Sequence, residues 1–180
     1  MISFWNPKVY NPQNSIVNQK REFKMGENVQ VQISGIAQVG TPYGPTPALM
    51  LEDPRERVLL IVIGEFEASS IAVALQGIKL PVPNTHDLLM TILGELNARV
   101  KRGEVYDIQA NRFLAKLVLE VSGEEKEIEC RPSDVIALTV RAGAAIYVSE
   151  NVMERASVEK SALLREEEKE ESEFKEEGLE

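Results

Sequence analysis

The junction Ile128-Glu129-Cys130-Arg131-Pro132-Ser133-Asp134, running into Val135-Ile136-Ala137-Leu138-Thr139-Val140-Arg141-Ala142-Gly143, constrains this chain more than any other stretch. Pro132 fixes its own φ and pushes Arg131 out of the helical region, so a strand has to end there. Proline is also at home in the first turn of a helix, where its missing N–H had no partner to lose. Ser133 reads as the cap, Asp134 as an acid complementing the positive end of the helix dipole, and Gly143 as a left-handed stop. The helix between them is apolar almost all round, which marks it as buried. A cation, a hydroxyl and a carboxylate are therefore expected where a buried helix meets the surface.

The rest of the chain supplies a sheet for that helix. Val29-Gln30-Val31-Gln32-Ile33 alternates strictly, as a half-buried strand does. Gly40 to Pro47 reads as a loop by composition. Ala48–Leu51 and Val58–Ile63 read as a strand pair across Asp53-Pro54-Arg55-Glu56, and the continuously apolar second strand is expected mid-sheet, covered on both faces. A helix is predicted from Glu65 to Leu75, stopped by Gly77 and carrying Glu65 and Glu67 in its first turn. Asn84 or Thr85 caps a second helix from His86 to Leu96, in which Leu89, Ile92, Leu93 and Leu96 recur at helical spacing. Val100–Ile108, Phe113–Val121 and Lys126–Cys130 read as antiparallel strands turned at Ala110-Asn111 and Ser122-Gly123. Ala145–Val148 is a short strand leading into a capped turn at Ser149. Hairpins mixed with helices that cross back onto one sheet make this an α+β fold: a mixed, largely antiparallel sheet packed with two to four helices in one compact domain. Residues 26–156 form that domain, 1–25 an Asn- and Pro-rich arm, and 157–180 a charged helix or tail.

Charge limits the partners. The net charge is −9. Ten acidic and four basic residues leave 157–180 at −6, and nineteen against sixteen leave the remainder at −3. A mildly acidic body supplies no long-range attraction to a phosphate backbone, so nucleic-acid chemistry would need a local positive patch. No apolar run reaches membrane-spanning length, and the N-terminus lacks the layout of a signal peptide. Cys130 is the only cysteine, which excludes an internal disulfide and a cysteine-based zinc site and points to a reducing, cytoplasmic setting.

Three polar clusters fall at helix starts, and each has two readings. Glu65 and Glu67 either stabilise a helix dipole or serve a site. His86, the one histidine, suits proton transfer near neutrality, or it caps and packs. Asp87 either orients the imidazole, binds a metal or complements the dipole. Arg131, held extended before Pro132, can grip a phosphate bidentately or make a structural ion pair with Asp134 or a glutamate. Ser133 has no base beside it in sequence, and Cys130 reads as a small buried apolar group. There is no P-loop, nucleophile elbow, HExxH or dinucleotide fingerprint.

The blocks Val62-Ile63-Gly64-Glu65-Phe66-Glu67-Ala68, Pro83-Asn84-Thr85-His86-Asp87-Leu88-Leu89, Arg131-Pro132-Ser133-Asp134-Val135-Ile136-Ala137-Leu138 and Ala145-Ile146-Tyr147-Val148 together resemble the bifunctional nuclease domain family. The likeness spans about residues 48–153 in family order. It implies a compact α+β domain, a homodimer, and activity on both DNA and RNA. Carried over by position, the family's polar signature lands on Glu67, His86, Asp87, Arg131, Ser133 and Asp134. Cys130 stands where the family usually has alanine or serine, and the arm is longer than usual.

Two functions compete. In the first, a nuclease, His86 is the general base or acid, and Asp87 or Glu67 orients it or holds Mg²⁺ or Mn²⁺. Arg131 stabilises phosphate charge and Asp134 fixes Arg131, with Ser133 and Thr85 as further substrate contacts. In the second, a non-catalytic module binds a small anionic ligand or a partner protein through the same polar ring.

Overall fold

A computed structural model describes residues 27–42, 44–163 and 165. The expected arm of residues 1–25 and the tail beyond 165 lie outside the described residues. The sheet begins with β1 (Asn28–Thr41), a strand long enough to serve two neighbours. A bulge between Ile33 and Gly35 divides it. Residues 28–31 pair with β7 (Ala145–Ser149), and residues from Gln32 onward pair with β2 (Gly44–Glu52). β3 (Arg57–Val62) follows β2, and β8 (Ser157–Glu159) pairs on its far side. β4 (Ala98–Gln109), β5 (Arg112–Val121) and β6 (Glu124–Cys130) form the meander expected from the turn residues. Ala110, Asn111, Ser122 and Gly123 all have positive φ, the backbone that a two-residue hairpin demands. The strand order is β6-β5-β4-β7-β1-β2-β3-β8, with β4 and β7 parallel and the other pairs antiparallel. This is an α+β domain with a mixed sheet.

Four helices complete it among the described residues: α1 (Glu65–Leu75), α2 (Thr85–Glu95), α3 (Pro132–Ala142) and α4 (Glu150–Ala156), followed by a helical turn at 160–163. α3 links β6 to β7 and lies across β4 and β5. Val135, Ile136 and Ala137 are fully buried. Gly103 on β4 allows this approach: a Cβ there would come within 2.6 Å of Val135 Cγ1 and 2.5 Å of Thr139 Oγ1. Gly143 closes α3 at φ +62°, with Ala144 N–H returning to the Thr139 carbonyl.

Several expectations need correction. Gly40–Pro47 is a tight hairpin, not a loop: β1 runs to Thr41 and β2 restarts at Gly44. β3 joins β2 only from Ala48 onward, so Pro45 and Pro47 lie on a stretch whose outer edge needs no ladder donors. β3 is one strand from the edge, not central, and Val62 is exposed. Residues 157–159, read as the start of the tail, extend the sheet instead. On α2 the inward stripe is His86, Met90 and Leu93, whereas Leu89, Ile92 and Leu96 face out. The polar contacts of His86 and the packing of Met90 and Leu93 on the core set that rotation.

Candidate functional site

The polar ends of three helices are joined by one chain of hydrogen bonds. α1 starts at Gly64 and sends Glu67 and Ser70, three residues apart and so on one helical face, toward α3. α2 starts from a capping box: the Asn84 side chain accepts the Asp87 N–H at 3.0 Å, and the Asp87 carboxylate accepts the Asn84 N–H at 3.0 Å. Asn84, rather than Thr85, is therefore the cap. α3 starts from Arg131, extended at φ −64°, ψ 146°, with Pro132 in the first turn. Ser133 is not the cap: it is buried behind the helix start, because the extended residue before Pro132 already occupies the cap position.

Arg131 holds Asp134 in a two-pronged grip, Nε to Oδ2 at 2.7 Å and Nη2 to Oδ1 at 2.9 Å, while its Nη1 reaches Glu67 Oε1 at 2.8 Å. Both structural ion pairs foreseen for this arginine are made, and its side chain is still 65% exposed. The imidazole of His86 is buried between Ser70 Oγ, 2.9 Å from Nδ1, and Asp134 Oδ1, 3.3 Å from Nε2. Asp87 does not touch the ring: its carboxylate goes to Arg141 Nε at 2.7 Å and to its own cap. Arg141, in the last turn of α3 and almost wholly buried, also donates to the Ala137 carbonyl at 3.0 Å, the Ser70 carbonyl at 3.2 Å and Ser70 Oγ at 3.0 Å. Glu67, Arg131, Asp134, His86, Ser70, Arg141, Asp87 and Asn84 thus form one connected set. Thr85 is exposed beside it, and among the described residues no hydrogen bond ties Ser133 to it.

Charge follows the geometry. Burial would raise the Asp134 carboxyl, but the hydrogen bonds and charge of Arg131, with a smaller share from His86, hold it below its ordinary value. Asp87 is lowered by Arg141 first and then by the Asn84 N–H. Arg131 is held protonated still more firmly than a free guanidinium, chiefly by Asp134. Cys130, one residue upstream, is pushed up to about 11 by burial and by the Asp134 charge, so it is no ready nucleophile.

A divalent cation asks for several hard oxygen ligands. Among the described residues no three His, Cys, Asp or Glu side chains gather to hold one. Asp134 turns both oxygens to Arg131, sharing Oδ1 with His86, Glu67 turns Oε1 to Arg131, and Asp87 turns one to Arg141. An ion at this corner would have to displace Arg131, so the donor set as arranged does not fit resident Mg²⁺ or Mn²⁺.

Against known proteins, the profile of the bifunctional nuclease domain matches residues 49–161, more than half of the chain. This protein belongs to the bifunctional nuclease domain family. Two uncharacterized proteins of Mycobacterium tuberculosis, from strains CDC 1551 and H37Rv, are each 35% identical over 134 residues, covering 74% of this chain and 77% of theirs. Within this bifunctional nuclease domain, Ser70 and Arg141 are the site members that motif reading overlooks. Their traces in sequence are faint: Ser70 falls one helical turn after Glu67, and Arg141 is the lone cation in an apolar helix.

Proposed function

We propose that this domain is a nuclease that cleaves phosphodiester bonds in DNA, RNA or both. The observation that supports it most is the corner where an exposed guanidinium, Arg131, is braced by two carboxylates beside a buried imidazole. Arg131 can turn its open edge to a phosphate and neutralise charge that builds there in the transition state. A proton of water or of the leaving oxygen would be held at Asp134 Oδ1, 3.3 Å from His86 Nε2. Asp87 and Arg141 act at one remove, fixing the end of α2 that carries His86. The ionised side chains of the connected set, three acids against two arginines, leave it slightly acidic, which favours short single strands over long duplex.

Purified protein should degrade single-stranded DNA or RNA, and His86→Ala and Asp134→Asn should each abolish that. Activity that persists unchanged in both variants belongs to a contaminant and sinks the proposal. Abolition by a chelator would show that Mg²⁺ or Mn²⁺ enters with the substrate. The second reading, a module that binds a small anion or a partner protein without cleavage, is favoured by one observation: both nitrogens of His86 are already occupied. A nucleotide that raises the melting temperature of wild type but not of Arg131→Ala, with no cleavage, would establish it.

We also infer a homodimer in a reducing, cytoplasmic setting. Phe66 on α1, Leu88 and Ile92 on α2 and Leu96 just after it leave apolar surface uncovered, which a second copy would bury. No helix among the described residues is long and apolar enough to cross a membrane. Sedimentation equilibrium showing a monomer at all concentrations would rule the dimer out.

A further inference from the structure

We propose that Ser70 is a positioning residue that, with Asp134 across the ring, fixes which nitrogen of His86 carries the ring proton; the geometry stands alone, and only its catalytic consequence rests on the nuclease reading. Ser70 Oγ lies 2.9 Å from His86 Nδ1, and two other groups converge on the same oxygen, Arg141 Nη2 at 3.0 Å and Asn84 Nδ2 at 3.3 Å. A guanidinium has donors and no acceptor. The orientation of Asn84 is set by the capping box: its Oδ1 must face the Asp87 N–H, so its NH₂ is the end left for Ser70. A serine hydroxyl offers two lone pairs and one hydrogen. Arg141 Nη2 also reaches the Ser70 carbonyl and Asn84 Oδ1, but of the three groups that meet Oγ only Nδ1 can accept, so the hydroxyl hydrogen goes there.

A neutral imidazole that accepts at Nδ1 carries its proton on Nε2. That nitrogen lies 3.3 Å from Asp134 Oδ1, so His86 donates to the carboxylate that Arg131 also grips. The neutral ring therefore cannot take a proton from water at the atom nearest Arg131. It gives a hydrogen bond there, to Asp134 or to a phosphoryl oxygen that takes its place. In the proposed reaction His86 is an electrophilic partner of Arg131 rather than the base. The serine, amide and buried guanidinium behind the ring and the ionised Asp134 in front of it impose this role together.

The chain carries one histidine, so a ¹⁵N-labelled sample with a histidine-free tag gives an unambiguous ring spectrum. A long-range ¹H–¹⁵N correlation on the neutral ring should show Nδ1 bare and Nε2 protonated in wild type. In an Asp134→Asn background, where a carboxylate no longer holds the proton on Nε2, the ring should keep this tautomer, and adding Ser70→Ala should move both nitrogens toward intermediate shifts as the second tautomer becomes populated. Asn84→Asp keeps a competent cap but gives Ser70 an acceptor, and should produce the same mixing if Ser70→Ala fails to fold. A wild-type ring protonated on Nδ1, or a ring unchanged in the folded variants, overturns the proposal. This readout needs no turnover, so a protein without nuclease activity would fail the functional reading and leave this one standing. Where cleavage is seen, Ser70→Ala should lower kcat roughly tenfold with KM unchanged, the loss of one oriented hydrogen bond. An unaltered kcat counts against the catalytic consequence.

Discussion

Replacing Arg141 with methionine tests whether the site is held together from behind. Met keeps an apolar stem in the gap that the arginine stem fills, so the change isolates the guanidinium. The charged bonds removed are the 2.7 Å contact to Asp87, those to Ser70 and Ala137, and a longer one to Asn84 Oδ1 at 3.4 Å. Breaking a fully buried ion pair by deleting one partner costs about 3–5 kcal/mol. Asp87 keeps about a third of its surface, so water recovers part of that loss. The expected destabilisation is about 2–4 kcal/mol, less than the stability of an ordinary domain, so the variant folds. Urea unfolding should show a lower midpoint at unchanged slope. Asp87→Asn should cost less, and the double variant should fall short of the sum by about 1 kcal/mol or more, because the two residues share one contact. A cost for Arg141→Met below about 0.5 kcal/mol, the level of an ordinary surface change, would refute the reasoning.

Other outcomes follow from the same structure. Asp134 and Asp87 titrate below the ordinary 3.8 in the folded protein, so the stability they give is present above that pH and lost as pH falls through their folded values. Urea midpoints should therefore drop only in acid, and more shallowly in Asp134→Asn. The Cys130 thiol, at about 11 against 9.0, should alkylate at pH 8 about 100-fold more slowly than a free thiol and at the ordinary rate once unfolded; equal rates would contradict its burial. Gly103→Ala should cost about 1–3 kcal/mol or more by pushing α3 off β4, whereas the same change at the open Gly94 should not lower the urea midpoint.

Most elements of the fold can be read from local chemistry, because local chemistry decides them. α1 begins and ends where Gly64 and Gly77 say, Pro132 and Gly143 bracket α3, and the turn pairs at 110–111 and 122–123 adopt the backbone their residues favour. What escapes is decided by neighbours far along the chain. Pro45 and Pro47 look like a loop until β2 is seen to need no N–H on its outer side there, where Ile63 donates to the Pro47 carbonyl. The spacing of leucines on α2 is helical in either rotation, and the face is selected by His86 docking against Ser70 and Asp134 with Met90 and Leu93 on the core. The same holds for the site. The histidine and the Arg-Pro-Ser-Asp corner stand out by residue type, but Arg141 meets Asp87 across 54 positions and no motif links them.

The account depends most on Arg131 facing the scissile phosphate. Cleavage of an end-labelled single-stranded oligonucleotide, wild type against Arg131→Ala prepared alongside and matched for urea midpoint, tests this directly. Wild type should cleave and the variant should lose about 100-fold or more in rate, the usual cost of removing a charge-stabilising donor. Equal rates in the two folded proteins would contradict it.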